Sequence, residues 1–237
     1  MQDEKPRATA RSHWRLAADL VAGLSIAFLS GVAFAWNVRR VNGWSAGTKF
    51  DWRVLPDAHV ALPRWLDVAL LGVSWFGTNI TILAALVPVS IWLWRRGRRD
   101  LVVPLAAVTV GNYLLNFFLK LVSERPRPEL WHHRGEYTWS SFPSGHAIAI
   151  MSVWPTVVWL VRREHGWHWP HVIWLALLPL IVYSRVYLGV HWPTDVVAGL
   201  IAGALWGLAI RLAFDKWVQV AIAEKHSPTP VDSMHGA

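Results

Sequence analysis

Apolar residues along this chain come in blocks separated by short polar connections. Six blocks stand out: Ala17 to Val38, Leu66 to Trp94, Leu101 to Val122, His146 to Val161, Val172 to Leu188 and Val196 to Phe214. Most approach or exceed the ~20 apolar residues a helix needs to cross a bilayer, and the fourth needs help from its flanks. Lipid supplies no hydrogen-bond partners, so a spanning segment must satisfy its own backbone, as a helix does. The pattern predicts an all-α fold, an integral membrane bundle of six transmembrane helices. Residues 15–218 form one membrane domain in this reading, with 1–14 and 219–237 as cytoplasmic tails. The first block also has the basic start and the Ala33-Phe34-Ala35 end of a cleavable signal peptide, although its apolar run is long for one.

Composition agrees with spans. The 237 residues are 54% hydrophobic and include 18 Trp, too apolar and too Trp-rich for an ordinary soluble domain of this length. Many Trp residues (Trp14, Trp36, Trp65, Trp92, Trp94, Trp167, Trp169 and Trp192) fall at block ends, where indoles anchor helices at the membrane interface. The net charge of +8 is dispersed among loops, which favours topology and anionic lipid over nucleic acid as its explanation. Cys is absent, which excludes disulfides and thiolate chemistry.

Of the 23 Lys and Arg, thirteen fall on the N-terminal side of a six-span arrangement and ten on the other. Five of those ten, Lys120, Arg125, Arg127, Arg134 and Arg185, belong to polar clusters described next. Without them the asymmetry places both termini in the cytoplasm.

Three clusters interrupt the apolar pattern. "KLVSERPRP", Lys120 to Pro128, closes the third block; "SSFPSGHAIAI", Ser140 to Ile150, opens the fourth; "SRVYLGVHWPTD", Ser184 to Asp195, closes the fifth and opens the sixth. Successive spans alternate in direction, so all three lie on one face, the extracytoplasmic one. Pro143-Ser144-Gly145 is a turn signal before a helix, whose free N–H groups and positive dipole end suit a phosphate oxygen. Helix starting at Pro193 would bring Asp195 within hydrogen-bonding reach of His191, fixing its tautomer and leaving the other nitrogen as nucleophile or base. Charges at bilayer mid-depth cost roughly 2.5 to 3.5 kcal/mol each on insertion scales, so such a gathering calls for a functional explanation. Lys120, Arg127 and Arg185 with Ser144 and Gly145 make an anion site suited to a phosphoryl group.

Lys120-x6-Arg127-Pro128, Pro143-Ser144-Gly145-His146 and Ser184-Arg185-x5-His191-x3-Asp195 resemble the three signature motifs of the type 2 phosphatidic acid phosphatase superfamily, the lipid phosphate phosphatases. Arg125-Pro126 duplicates Arg127-Pro128, and the spacing from Lys120 selects Arg127. The resemblance implies a metal-independent hydrolase of phosphomonoesters or diphosphates, with no cofactor. By carry-over His191 attacks phosphorus to form a phosphohistidine, Asp195 orients it, and His146 protonates the leaving oxygen. Lys120, Arg127, Ser144, Gly145 and Arg185 hold the phosphate oxygens.

The partners implied are a lipid phosphate of undecaprenyl diphosphate, phosphatidylglycerol phosphate or phosphatidic acid type and the bilayer itself, with the enzyme in a bacterial inner membrane. A lipid phosphotransferase using the same intermediate, a lipid A phosphatase and a transporter are the alternatives. Arg125, His132, His133 and Arg134 are expected as headgroup contacts, and the Arg39 to Trp65 loop as a seat of selectivity. His165, His168 and His171 fall on the opposite side from His146 and His191, so no compact metal-ligand set is expected.

Overall fold

A computed structural model describes residues 7–42, 47–58, 63–129 and 140–226. Among them are eight α-helices: α1 (Arg7–Asn42), α2 (Lys49–Ala58), α3 (Arg64–Ser74), α4 (Asn79–Arg95), α5 (Arg99–Ser123), α6 (Gly145–His165), α7 (Trp169–Tyr187) and α8 (Pro193–His226), with a 3₁₀ turn at Trp75–Gly77. Within α1, α5, α6, α7 and α8 are five stretches long and apolar enough to cross a membrane. Their outward faces carry large apolar side chains such as Val21, Leu29, Val110, Val172 and Leu212, the surface expected where the solvent is lipid.

The second predicted span is broken. α3 with its 3₁₀ turn and α4 pass the length and hydropathy test as a pair, bent by 52° at the junction. The chain becomes extended at Thr78, whose side chain accepts a bond from the Thr81 N–H at 3.1 Å and starts a new helix. A Cβ on Gly77 would lie 2.8 Å from His146 Cδ2, so the absence of a side chain lets the break press against α6. The break also holds Ser74 at the base of α3, where Arg185 bonds its hydroxyl. α2 was not foreseen as an element; it opens with a reciprocal cap in which the Thr48 N–H bonds Asp51 at 2.9 Å and the Asp51 N–H bonds Thr48 Oγ1 at 3.0 Å. Helix also continues past Phe214 to His226, beyond the predicted end of the last span.

The helices that carry the second and third clusters lie backbone to backbone. Gly199, Gly203 and Gly207 form a small-residue stripe on α8, and Cβ atoms there would meet Ser144 O at 2.6 Å, Ile148 O at 2.5 Å and Met151 O at 3.1 Å. Behind this contact α1, α5, α6 and α8 bury Val108, Leu115, Ile148, Trp206, Ile210 and Phe214. The result fixes the start of α8 against the start of α6.

Candidate active site

Arg125 organises the frame around the site. It is wholly buried, donates to Asp51 Oδ2 at 2.8 Å, to Thr194 Oγ1 at 2.7 Å and to Asp195 Oδ1, and lies over the Trp192 ring at 5.3 Å. Asp51 in turn accepts from the Thr194 N–H at 2.8 Å and its hydroxyl at 2.9 Å. One guanidinium shared by two buried carboxylates ties α2, the segment after α5 and the start of α8 into one unit. The expectation that Arg125 contacts a headgroup is therefore corrected: its side chain is enclosed and engaged by protein.

The segments that precede the helices are stitched just as closely. The Ser141 N–H bonds Arg125 O at 2.7 Å, and the Ser144 N–H bonds Asp195 O at 3.0 Å, so each cluster touches the next through backbone. Ser123 Oγ pairs with Ser140 Oγ at 2.8 Å, Ser140 Oγ accepts from the Arg125 N–H at 3.0 Å, and Lys120 Nζ donates to Ser140 O.

His191 sits in the turn before α8. Its Nδ1 lies 2.7 Å from Ser141 O, and a carbonyl only accepts, so Nδ1 carries the proton and the lone pair is on Nε2. Asp195 does not make the hydrogen bond expected of it. Oδ2 stands 3.7 Å from Nδ1, within ion-pair range but beyond a hydrogen bond, because it caps the helix start by accepting the Trp192 N–H at 2.9 Å. Burial, reinforced by the charges of Arg127, Arg185 and Lys120, holds His191 well below the ordinary imidazole value. A neutral ring with a free lone pair is the form a nucleophile requires.

The remaining members converge on that ring. Arg185 is 4% exposed and donates to Ser74 Oγ, while Arg127 donates to Val190 O one residue before His191. Ser144 occupies the N-cap of α6 and Gly145 its first turn, where backbone N–H groups have no intrahelical acceptor. Ser144 Oγ and His146 Nε2 are buried with no hydrogen-bond partner among the described residues. His146 is within electrostatic range of His191, Arg127, Arg185 and Lys120. An apolar cavity of about 220 Å³, lined by Val32, Trp36, Leu119 and Phe142 among others, opens beside the first cluster.

Lys120, Arg127, Ser144, Gly145, His146, Arg185, His191 and Asp195 are thus brought together at one end of the bundle. His132, His133 and Arg134 lie outside the described residues. Sequence reasoning missed Asp51, Thr194, Ser141 and Ser74. Thr48-x-x-Asp51 is a readable capping signal, but nothing local marks Asp51 as the partner of an arginine 74 residues away.

Fold and site define a multi-pass, all-helical membrane protein with a basic, histidine-bearing cluster at one end of its spans. Residues 101–219 match the family model described as the PAP2 superfamily. The chain belongs to that superfamily. It is 29% identical to phosphatidylglycerophosphatase B of Bacillus subtilis over 162 residues, 65% of this chain and 78% of that protein. Against an undecaprenyl-diphosphatase of Bacillus subtilis it is 30% identical over 142 residues, 56% of this chain and 68% of the other. Among solved structures, it superposes with a TM-score of 0.68 on a transmembrane PAP2-type phosphatidylglycerolphosphate phosphatase from Bacillus subtilis, at 25% identity, over 81% of this chain and 96% of that one.

Proposed function

We propose that this membrane phosphatase hydrolyses a lipid phosphomonoester or diphosphate through a phosphohistidine on His191, without a metal ion. The carrying observation is the Nδ1 contact of His191 with the Ser141 carbonyl, which leaves Nε2 free beside three cationic side chains and the start of α6. Nε2 attacks phosphorus, the bond to the leaving oxygen breaks, and His146 gives that oxygen a proton. Water then attacks phosphorus, His146 takes its proton, and the P–N bond breaks to release phosphate and restore His191. Lys120, Arg127, Arg185, Ser144 Oγ and the Gly145 N–H hold the nonbridging oxygens through a loose transition state. Asp195, 3.7 Å from the ring, steadies the positive charge that develops there.

The substrate class in this reading is the anionic head of a phosphatidylglycerol phosphate, an undecaprenyl diphosphate or a phosphatidic acid, at the face of a bacterial inner membrane away from the cytoplasm. Support comes from the activities named for its relatives, from the charge asymmetry of the loops, and from the apolar cavity beside Leu119 and Phe142, which suits a lipid chain. The test is phosphate release by purified protein from those three lipids, with chelator present and His191→Ala as control. Turnover of at least one lipid, resistant to chelator and abolished by the substitution, is expected. Undiminished release by His191→Ala would refute the nucleophile.

A further inference from the structure

At the opposite end of the bundle, a cavity of about 530 Å³ opens between α6, α7 and α8. Arg162, Arg163, His171, Trp159, Trp174 and Arg211 are among its lining. Arg162 lies 17 residues beyond Gly145 on α6, which at 1.5 Å per residue sets the cavity ~25 Å from the catalytic end, near the other leaflet.

Its charge is only partly compensated, one carboxylate standing against three arginines. Asp215, the carboxylate beside it, accepts from Arg163 at 2.8 Å, Trp159 Nε1 at 3.3 Å and Gln219 at 2.8 Å, and so is engaged by residues other than Arg162 and Arg211. The guanidiniums of Arg162 and Arg211 have no hydrogen-bond or ion-pair partner among the described residues, and His171 Nδ1 is buried without one. Two unpaired guanidiniums on apolar spans, facing one cavity with a donor-capable imidazole and two indoles, match an oxyanion whose molecule also has an apolar part. Arginine forks suit phosphate geometry, and indoles suit the glycerol and upper acyl region of a lipid.

We propose that this cavity is a second lipid site, which binds the phosphate of an anionic membrane phospholipid in the leaflet opposite the catalytic face. The ligand is held there and is not turned over. It is independent of which lipid the catalytic pocket cleaves.

Thermal unfolding in neutral detergent, with added phosphatidylglycerol, phosphatidylcholine or inorganic phosphate, tests the proposal. Wild type should gain about 5 °C from saturating phosphatidylglycerol relative to phosphatidylcholine, as expected for a ligand well above its Kd. Arg162→Gln/Arg211→Gln should lose that difference while retaining phosphatase activity; a contribution from lipid in the catalytic pocket would persist in this variant and so subtract out. Asp215→Asn, which releases Arg163 toward the cavity, should move the other way and saturate at lower lipid concentration. An equal phosphatidylglycerol shift in wild type and the double variant would overturn the site. Reproduction of the wild-type shift by inorganic phosphate alone would overturn its assignment to lipid. Should the double variant not fold, Asp215→Asn decides: no increase in lipid affinity refutes the proposal.

Discussion

Arg125 and Asp51 show how a site for anions can depend on residues that never meet one. Arg127 reaches the pocket through Val190 and its neighbour His191, while Arg125, two positions earlier, is enclosed with Asp51 and Asp195. Charges removed from water are tolerated when paired, and removal of one partner leaves the other buried without compensation, typically costing about 3 to 5 kcal/mol. Asp51→Asn keeps the shape and half the acceptor capacity, so it should lie near the lower end of that range. Arg125→Met strands two carboxylates and should cost more. Thermal unfolding in detergent measures the order, and activity should fall in both because Thr194 and Asp195 lose their anchor. A more stable Arg125→Met protein would show that the network is replaceable by apolar packing. Asp195→Asn belongs with these: its carboxylate accepts from Arg125 and the Trp192 N–H, so both stability and rate should suffer.

At the scale of elements, the decisive contact is α8 on α6. The nucleophile precedes one helix and the phosphate-binding turn precedes the other, so their relative placement is the geometry of the pocket. Gly203 allows that approach, since an added Cβ would stand 2.5 Å from a backbone oxygen that cannot rotate away. Gly203→Leu should drive the helices apart, lowering thermal stability and abolishing most activity. Gly72, on α3, has nothing within 4 Å of an added Cβ, and Gly72→Ala should raise stability by about 0.5 to 1 kcal/mol through helix propensity. Comparable losses in the two variants would remove the packing argument. The same contact explains what sequence could and could not reveal. Lys120, Ser144 and His191 were legible because motif spacing and the alternation of spans carried them to one face. The bend at Gly77–Thr78 was hidden because hydropathy averages across it, and α2 was hidden because its role depends on Arg125, distant in the chain. Asp195 was legible as a neighbour of His191 but not as the cap of its own helix, a competition decided by the Trp192 N–H.

Across the whole molecule, both ends carry engaged as well as exposed cations, and orientation is read by accessibility. Toward the catalytic end Arg125 and Arg185 are buried and bonded, and Arg39 donates to Ser123 O at 2.8 Å. Such side chains serve structure or site and say little about which loops stayed in the cytoplasm. Toward the other end Arg98 pairs with Asp100 at 2.6 Å and with Glu164, Arg163 pairs with Asp215 at 2.8 Å, and exposed Arg96 and Arg99 lie over Trp92 and Trp94 at 4.8 and 5.0 Å, as Arg40 lies over Trp36 at 5.3 Å at the catalytic end. The orientation proposed above puts the α4–α5 turn in the cytoplasm and the catalytic cluster on the other face. The natural chain has no Cys, so single cysteines report without background. Glu129→Cys, exposed just past the first motif, should react with an impermeant thiol reagent in intact cells. Arg96→Cys should react only once the membrane is breached. The reverse pattern would invert the molecule and place the chemistry, and any lipid it consumes, on the cytoplasmic leaflet.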